Sequence, residues 1–286
     1  MKSIKFDKYH GNGNDFIIID SRGNKLYEEF ISNQSFKVSD LCDRNFGIGG
    51  DGVIFIIDPE DDNDSKMIIY NSDNSEAEMC GNGIRCLVQY LNDLENLKKR
   101  EYKIETLAGL KVAKYNDGKI TVRMGKPIIK SKLIPTKMQN INNELPNTIF
   151  KHNEFSNIGY AVGMGNPHLI FFVKNIELIQ HKLLGPIFEN SDLFPDKTNV
   201  HFCQQLNKQN FKVKVWERGA GSTLACGTGA CAIHVAAFIL GLSDSKTNIN
   251  LPGGNLMIEW SNNNDEVLMT GNANKVFSGS FLKLNE

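Results

Sequence analysis

Cys80 and Cys226 are the residues of this sequence best placed to do chemistry. Each opens a glycine-rich turn, Cys80-Gly81-Asn82-Gly83 and Cys226-Gly227-Thr228-Gly229, and each turn runs into a helical or wholly apolar segment. A thiol at a helix start meets unpaired backbone N–H groups and the positive end of the helix dipole, which favour thiolate over thiol. The glycines let the amides of Gly81, Asn82, Gly227 and Thr228 approach a ligand closely, so each turn can also cradle a carboxylate. Two such turns on opposite faces of one carbon fit stereoinversion. One thiolate removes the α-proton, the opposite thiol delivers another, and the amides stabilise the charge that develops on the carboxylate. Either motif alone reads as a small core cysteine beside capping glycines. Its recurrence at matching places in the two halves of the chain reverses that preference.

Other residues suit the ends of an amino acid. Glu217-Arg218-Gly219-Ala220-Gly221 closes a strand with an acid and a base in a glycine-rich turn. Arg218 can grip a carboxylate in two-pronged fashion and Glu217 can accept from an ammonium group, although adjacent charges are also common as solvated surface pairs. His168 follows Gly165-Asn166-Pro167 in a tight turn, where a lone histidine is more often structural. Asn14, Asn71, Asn166 and Asn199 lie at strand or turn ends, and their amides can donate to a carboxylate or accept from an amine. The other cysteines, Cys42, Cys86, Cys203 and Cys231, fall in apolar or helical segments and read as core. Neither Cys80/Cys86 nor Cys226/Cys231 has the two-residue gap of a zinc or thioredoxin motif, so no metal is expected.

The elements that must carry these residues alternate short apolar runs with Gly, Asn and Asp punctuation. Strands are predicted at 16–19, 53–57 and 67–70, then near 102–106, 110–115 and 119–124. Ile84, Leu87, Val88, Leu91 and Leu94 predict an amphipathic helix beginning near Cys80. In the second half strands are predicted near 158–163, 168–173, 199–204 and 211–217, followed by an almost wholly apolar segment from Ala230 to Leu240. A helix apolar all round should be buried, here inside a sheet that curls around it. Gly13-Asn14 answers to Gly165-Asn166, as the first cysteine turn answers to the second, in a common strand-rich order that indicates a duplicated domain. The stretch 131–157, polar and Asn-rich with Pro135 and Pro146, suits a linker or long hairpin better than core.

With 286 residues and 41% apolar composition the chain can form two domains of ordinary size. Its 32 basic and 33 acidic residues lie without long single-sign blocks, which argues against nucleic acid or an anionic membrane and for a small-molecule partner. No run reads as a signal peptide or a membrane span, so a cytoplasmic protein is expected.

Through His10-Gly11-Asn12-Gly13-Asn14-Asp15-Phe16, Glu76-Ala77-Glu78-Met79-Cys80-Gly81-Asn82-Gly83, Met164-Gly165-Asn166-Pro167-His168, Glu217-Arg218-Gly219-Ala220-Gly221 and Ala225-Cys226-Gly227-Thr228-Gly229-Ala230-Cys231, the chain closely resembles the diaminopimelate epimerase family over nearly its whole length. The resemblance implies interconversion of LL- and meso-diaminopimelate, for lysine and cell-wall precursors, by a thiol/thiolate pair with no cofactor, neither pyridoxal phosphate nor metal. It implies Cys80 and Cys226 as alternating base and acid. The backbone of Gly81, Asn82, Gly227 and Thr228 would hold the carboxylate at the reacting centre, with His168 and Glu217 near its ammonium. Asn14, Asn71, Asn166, Asn199 and Arg218 would bind the distal centre.

The implied fold is α/β, two similar halves, each a curled mixed sheet around a central helix. The expected division is 1–126 plus 273–286 for the half carrying Cys80 and 127–272 for the half carrying Cys226, with the active site in the cleft between them. The final strand, 275–282, would return to the first half. A homodimer is carried as an expectation that the sequence does not fix. Two departures stand out: Gly52 lies where some members carry Gln, and Ser222 where Glu is frequent. The rival readings are a proline racemase-like isomerase of the same architecture and a thiol redox or binding protein.

Overall fold

The computed structural model describes residues 3–32, 37–95, 101–140, 145–261 and 265–282. The chain forms two compact units, one of Met1–Val122 with Gly271–Glu286 and one of Arg123–Thr270.

In the first unit Ser3–Gly11 and Asn14–Asp20 form an antiparallel hairpin, and Gly52–Ile57 then runs parallel to Asn14–Asp20. Ser65–Asn71 returns antiparallel, the helix Gly81–Glu95 follows, and Glu101–Glu105 comes back parallel to Ser65–Asn71. Lys111–Asn116 and Lys119–Arg123 complete the meander, and Asn274–Leu282 lies antiparallel beside Ser3–Gly11.

The second unit repeats this order. Phe155–Gly163 and Pro167–Phe172 are antiparallel, Asn199–Asn207 is parallel to Pro167–Phe172, and Asn210–Trp216 is antiparallel to that. The helix Gly227–Ile239 follows, Lys246–Leu251 returns parallel to Asn210–Trp216, and Gly254–Glu259 and Leu268–Asn272 continue antiparallel. Pro146–His152 flanks Phe155–Gly163 as Asn274–Leu282 flanks Ser3–Gly11. This is the α/β fold expected of the sequence: two similar halves, each a mixed sheet wrapped on one helix.

The wrapping explains why the strand sequences are continuously apolar. Ile17, Ile19, Val53 and Phe55 pack outward against Val38 and Leu41, while Ile54 and Ile69 on the opposite face reach the first turn of the helix at Gly83. A strand covered on both faces gains nothing from polar alternation. In the second unit Leu169, Phe171, Val200 and Phe202 pack outward with Leu184 and Phe188. The helix Gly227–Ile239 is buried from Ala230 to Ala237, as its lack of a polar face requires.

Several expectations need correction. Of the two readings of 131–157 the hairpin holds, since Pro146–His152 pairs antiparallel with Phe155–Gly163, but the stretch is neither linker nor outside the core. Ile134, Met138 and Phe150 are core residues of the second unit, and Pro146–His152 is a full strand; residues 141–144 lie outside the described residues. Leu94 is 56% exposed and so falls outside the buried stripe of its helix. The strands Ser3–Gly11, Lys246–Leu251 and Gly254–Glu259 and the helix His181–Glu189 were not foreseen. Among the described residues no helix is long and apolar enough to cross a membrane.

Candidate active site

Each cysteine stands one residue before its helix, and each sulfur accepts the backbone N–H three residues on. Gly83 donates to Cys80 Sγ at 3.4 Å and Gly229 donates to Cys226 Sγ at 3.3 Å. Both thiols therefore occupy the position an Asp or Ser takes as an N-cap, where a negative sulfur would be stabilised by orphan amides. Glycine at 229 is a steric requirement, since a Cβ there would come 2.3 Å from His201 Cε1 and 3.1 Å from Cys226 Sγ.

Around Cys80, Asn14 is the hub. Its Oδ1 accepts from Asn82 Nδ2 at 3.1 Å and lies 3.8 Å from Cys80 Sγ, while its Nδ2 donates to Asp51 at 2.9 Å. Asp51 is held by Arg44 at 2.8 Å, and Arg44 also grips Asp15 at 2.7 Å. Lys8, buried, lies 2.8 Å from Asp15 and donates to the Gly49 carbonyl. Burial opposes ionisation of Asp15, yet the hydrogen bonds from Arg44 and Lys8 prevail and hold its carboxyl down at about 2. Asn71 is exposed at its strand end and donates to Ser75 Oγ at 3.0 Å. Gly81 and Asn82 begin the helix and are buried. Arg85, wholly buried one turn on, donates to Asn12 Oδ1 at 2.8 Å.

Around Cys226, the thiol is 3% exposed and hydrogen-bonds the Glu217 carboxylate, with Thr228 Oγ1 at 3.6 Å from the sulfur. Burial, then the charge of Glu217, push this thiol well above its ordinary range, outweighing the Thr228 and Gly229 hydrogen bonds that pull the other way. The helix start alone led us to expect a depressed value. In this conformation Cys226 is instead a resting thiol, the state required of a proton donor. Thr223 Oγ1 donates to Glu217 Oε1 at 2.5 Å, and the turn closes through Glu217 N to Gly221 O at 2.7 Å.

Asn199 braces two chain segments, donating to Pro167 O at 2.9 Å and accepting from the Arg218 amide at 3.0 Å. The Arg218 guanidinium is exposed and donates to Asp196 O. His168 is completely buried; its Nε2 faces Asn166 Oδ1 at 2.8 Å and its Nδ1 faces His201 Nε2 at 3.0 Å. No edge of its ring is exposed, and both ring nitrogens face protein atoms.

His168, His201 and Cys226 place three metal-capable atoms within 4.8 Å of one another. His168 Nδ1 and His201 Nε2 are, however, hydrogen-bonded to each other at 3.0 Å, which engages both nitrogens. Sequence reasoning missed His201, Asp51, Arg44 and Glu189. Asp51 does sit in a glycine-rich run, Gly49-Gly50-Asp51-Gly52, a signal that could have found it; Arg44, Glu189 and His201 sit in none, and only the fold brings them to their partners.

The diaminopimelate epimerase model matches residues 6–130 and 160–276. The chain belongs to the diaminopimelate epimerase family. A relative, the diaminopimelate epimerase of Prochlorococcus marinus (strain NATL2A), is 49% identical over 278 residues, covering 96% of this chain and 97% of the relative. Among solved structures, a phenazine biosynthesis protein of the PhzF family from Bacillus anthracis matches with a TM-score of 0.69 at 16% identity, covering 99% of this chain and 100% of that one. A hydroxyproline epimerase from Agrobacterium vitis matches with a TM-score of 0.68 at 13% identity, over 97% and 92% of the two chains. The last two likenesses concern the fold alone. Membership in the diaminopimelate epimerase family makes the chain an isomerase acting on a small molecule, and the proline racemase-like alternative is not favoured.

Proposed function

We propose that this protein interconverts LL- and meso-2,6-diaminopimelate by removing and replacing one α-proton, with Cys80 and Cys226 as the acid–base pair. The observation that carries the reading is the matched placement of the two sulfurs. Each is an N-terminal cap receiving a backbone N–H, at 3.4 Å for Cys80 and 3.3 Å for Cys226. In the LL-to-meso direction one sulfur takes the α-proton as thiolate and the other, as thiol, protonates the opposite face. The resting thiol at Cys226 suits the donor, and Cys80 then serves as the base. The amides of Gly81, Asn82, Gly227 and Thr228 hold the carboxylate and stabilise the enolate-like charge that forms on it. Glu217 accepts from the ammonium group, His168 stands behind Asn166 on the same side with both ring nitrogens engaged, and Asn14, Asn71, Asn166, Asn199 and Arg218 hold the distal centre.

No cofactor enters this scheme: the proton leaves to sulfur, and the charge is absorbed by oriented amides. We place the enzyme in the cytoplasm and retain the homodimer as its assembly, which light scattering of the purified protein tests. The mechanism is tested by Cys80→Ala and Cys226→Ala variants. Each is expected to lose inversion by at least ~10³-fold, since removing one partner of a two-base pair leaves no route to the second face. Undiminished turnover in either variant removes that cysteine from the mechanism.

A further inference from the structure

His201 lies outside every motif that carries the family resemblance, yet it is fully buried, touches the turn that opens the Cys226 helix and faces His168. The hydrogen-bond donors and acceptors along this row can be assigned in order. Asn166 Oδ1 only accepts, so the His168 Nε2 that faces it at 2.8 Å must donate. A neutral His168 then has a bare Nδ1, and the His201 Nε2 that faces it at 3.0 Å must donate in turn. That leaves His201 Nδ1 as a bare lone pair, and this atom is buried with no hydrogen-bond partner. Running the chain the other way would put an unpaired N–H at that buried position and turn the Asn166 amide over, at the expense of an unsatisfied donor.

The consequence reaches the ligand side. With Oδ1 taken by His168, the Nδ2 group of the half-buried Asn166 is the part of that side chain free to meet a ligand, so Asn166 is set as a donor. We propose that His201 is a positioning residue that fixes the tautomer of His168 and, through it, orients the Asn166 amide to donate to a carboxylate of the substrate. The ligand part of this inference rests on the proposed diaminopimelate reading; the tautomer part does not.

The test is carried out on the whole enzyme labelled with 15N-histidine, using long-range 1H–15N correlation to read which ring nitrogen of His168 holds the proton. The wild type is expected to show His168 as the Nε2–H tautomer, and an Nδ1–H tautomer there overturns the proposal before any variant is made. In His201→Met, which replaces the donor by a weakly accepting sulfur, His168 is expected to shift toward Nδ1–H and the Asn166 amide to turn over. KM for LL-diaminopimelate should rise roughly tenfold with kcat changed much less, as for loss of one oriented hydrogen bond to a charged group. His201→Gln, which keeps a donor, should restore both readouts. A His168 that stays Nε2–H in His201→Met contradicts the positioning role. A shifted tautomer with unchanged KM contradicts the orientation of Asn166 toward substrate. A wild type without epimerase activity defeats the functional reading while the tautomer result still stands or falls by itself.

Discussion

Glu189 Oε1 accepts the backbone N–H of Gly219 at 2.9 Å, from a side chain only 6% exposed at the end of the helix His181–Glu189. Its other oxygen accepts from Trp216 Nε1 at 2.7 Å. One carboxylate thus pins the Glu217–Gly221 turn from beneath, and Gly185 in the same helix makes room for the Trp216 ring, which a Cβ would meet at 2.4 Å. We expect Glu189→Ala to lower kcat/KM by one to two orders of magnitude by releasing Glu217 and Arg218, and to destabilise the fold by about 1 kcal/mol by removing the partner of the half-buried Trp216 indole N–H. Glu189→Gln, which retains one acceptor, should lose less in both. Steady-state kinetics with urea denaturation checks both effects; an unaffected Glu189→Ala enzyme means the turn holds itself.

The two thiols of the proposed acid–base pair differ in access. Cys80 is half-buried, whereas Cys226 is 3% exposed with its thiol pushed up by burial and by Glu217. Brief treatment of the ligand-free enzyme with iodoacetamide at pH 8 should therefore alkylate Cys80 well before Cys226, as peptide mass spectrometry reads directly. Equal or reversed labelling contradicts the thiol state assigned to Cys226.

Burial holds His201 at about 3 and His168 well below the ordinary histidine range, with the neighbouring His201 and Arg218 adding to the effect at His168. His234 is lowered by burial to about 4. The unfolded chain takes up these protons near pH 6.5 and the native state does not. Their contribution to stability is therefore complete above about pH 6.5 and is lost as pH falls below it, by up to ~1.4 kcal/mol per pH unit for each ring. Denaturation curves between pH 7 and 5 should show this loss, and His201→Gln should flatten it by one ring's share. An unchanged slope would mean that His201 is protonated in the native state.

Gly52 has a packing reason. A Cβ there would come 2.5 Å from the Tyr70 carbonyl and 3.5 Å from Phe16, in a strand paired on both sides. Gly52→Ala should cost about 1–3 kcal/mol as an overpacked core position, and Gly52→Gln should be no better tolerated. Thermal melts decide it: an unchanged or raised midpoint shows that the strands give way freely.

The sequence was most legible where chemistry and backbone demand the same residues. Cysteine followed by glycines announced both helix starts, and the apolar segment after Cys226 announced a buried helix. Gly13-Asn14 and Gly165-Asn166 announced a repeat that the two units realise strand for strand. Asn14 lies 3.8 Å from Cys80 and Asn166 2.8 Å from His168, neighbours that their motifs did not announce. What could not be read depends on long-range packing. The dipole argument gave Cys226 a low-pKa thiol, but burial and Glu217 override it. Lys246–Leu251 was missed because its partner, Asn210–Trp216, lies across an intervening helix. Pro146–His152 was read as linker or long hairpin outside the core because Asn and Pro are dense around it; it is one arm of a hairpin, and Phe150 anchors it in the core. Glu189 and His201 act from beneath the visible motifs, where residue type alone carries no signal.

The most direct measurement of the central claim is incubation of the reduced, folded enzyme with LL-diaminopimelate in deuterium oxide, with no cofactor added. Product stereochemistry and deuterium content would be followed by chromatography and mass spectrometry. The account predicts meso-diaminopimelate carrying one solvent deuterium at the inverted α-carbon. Meso product without deuterium would contradict exchange-linked two-base proton transfer, and no meso product would contradict the substrate assignment.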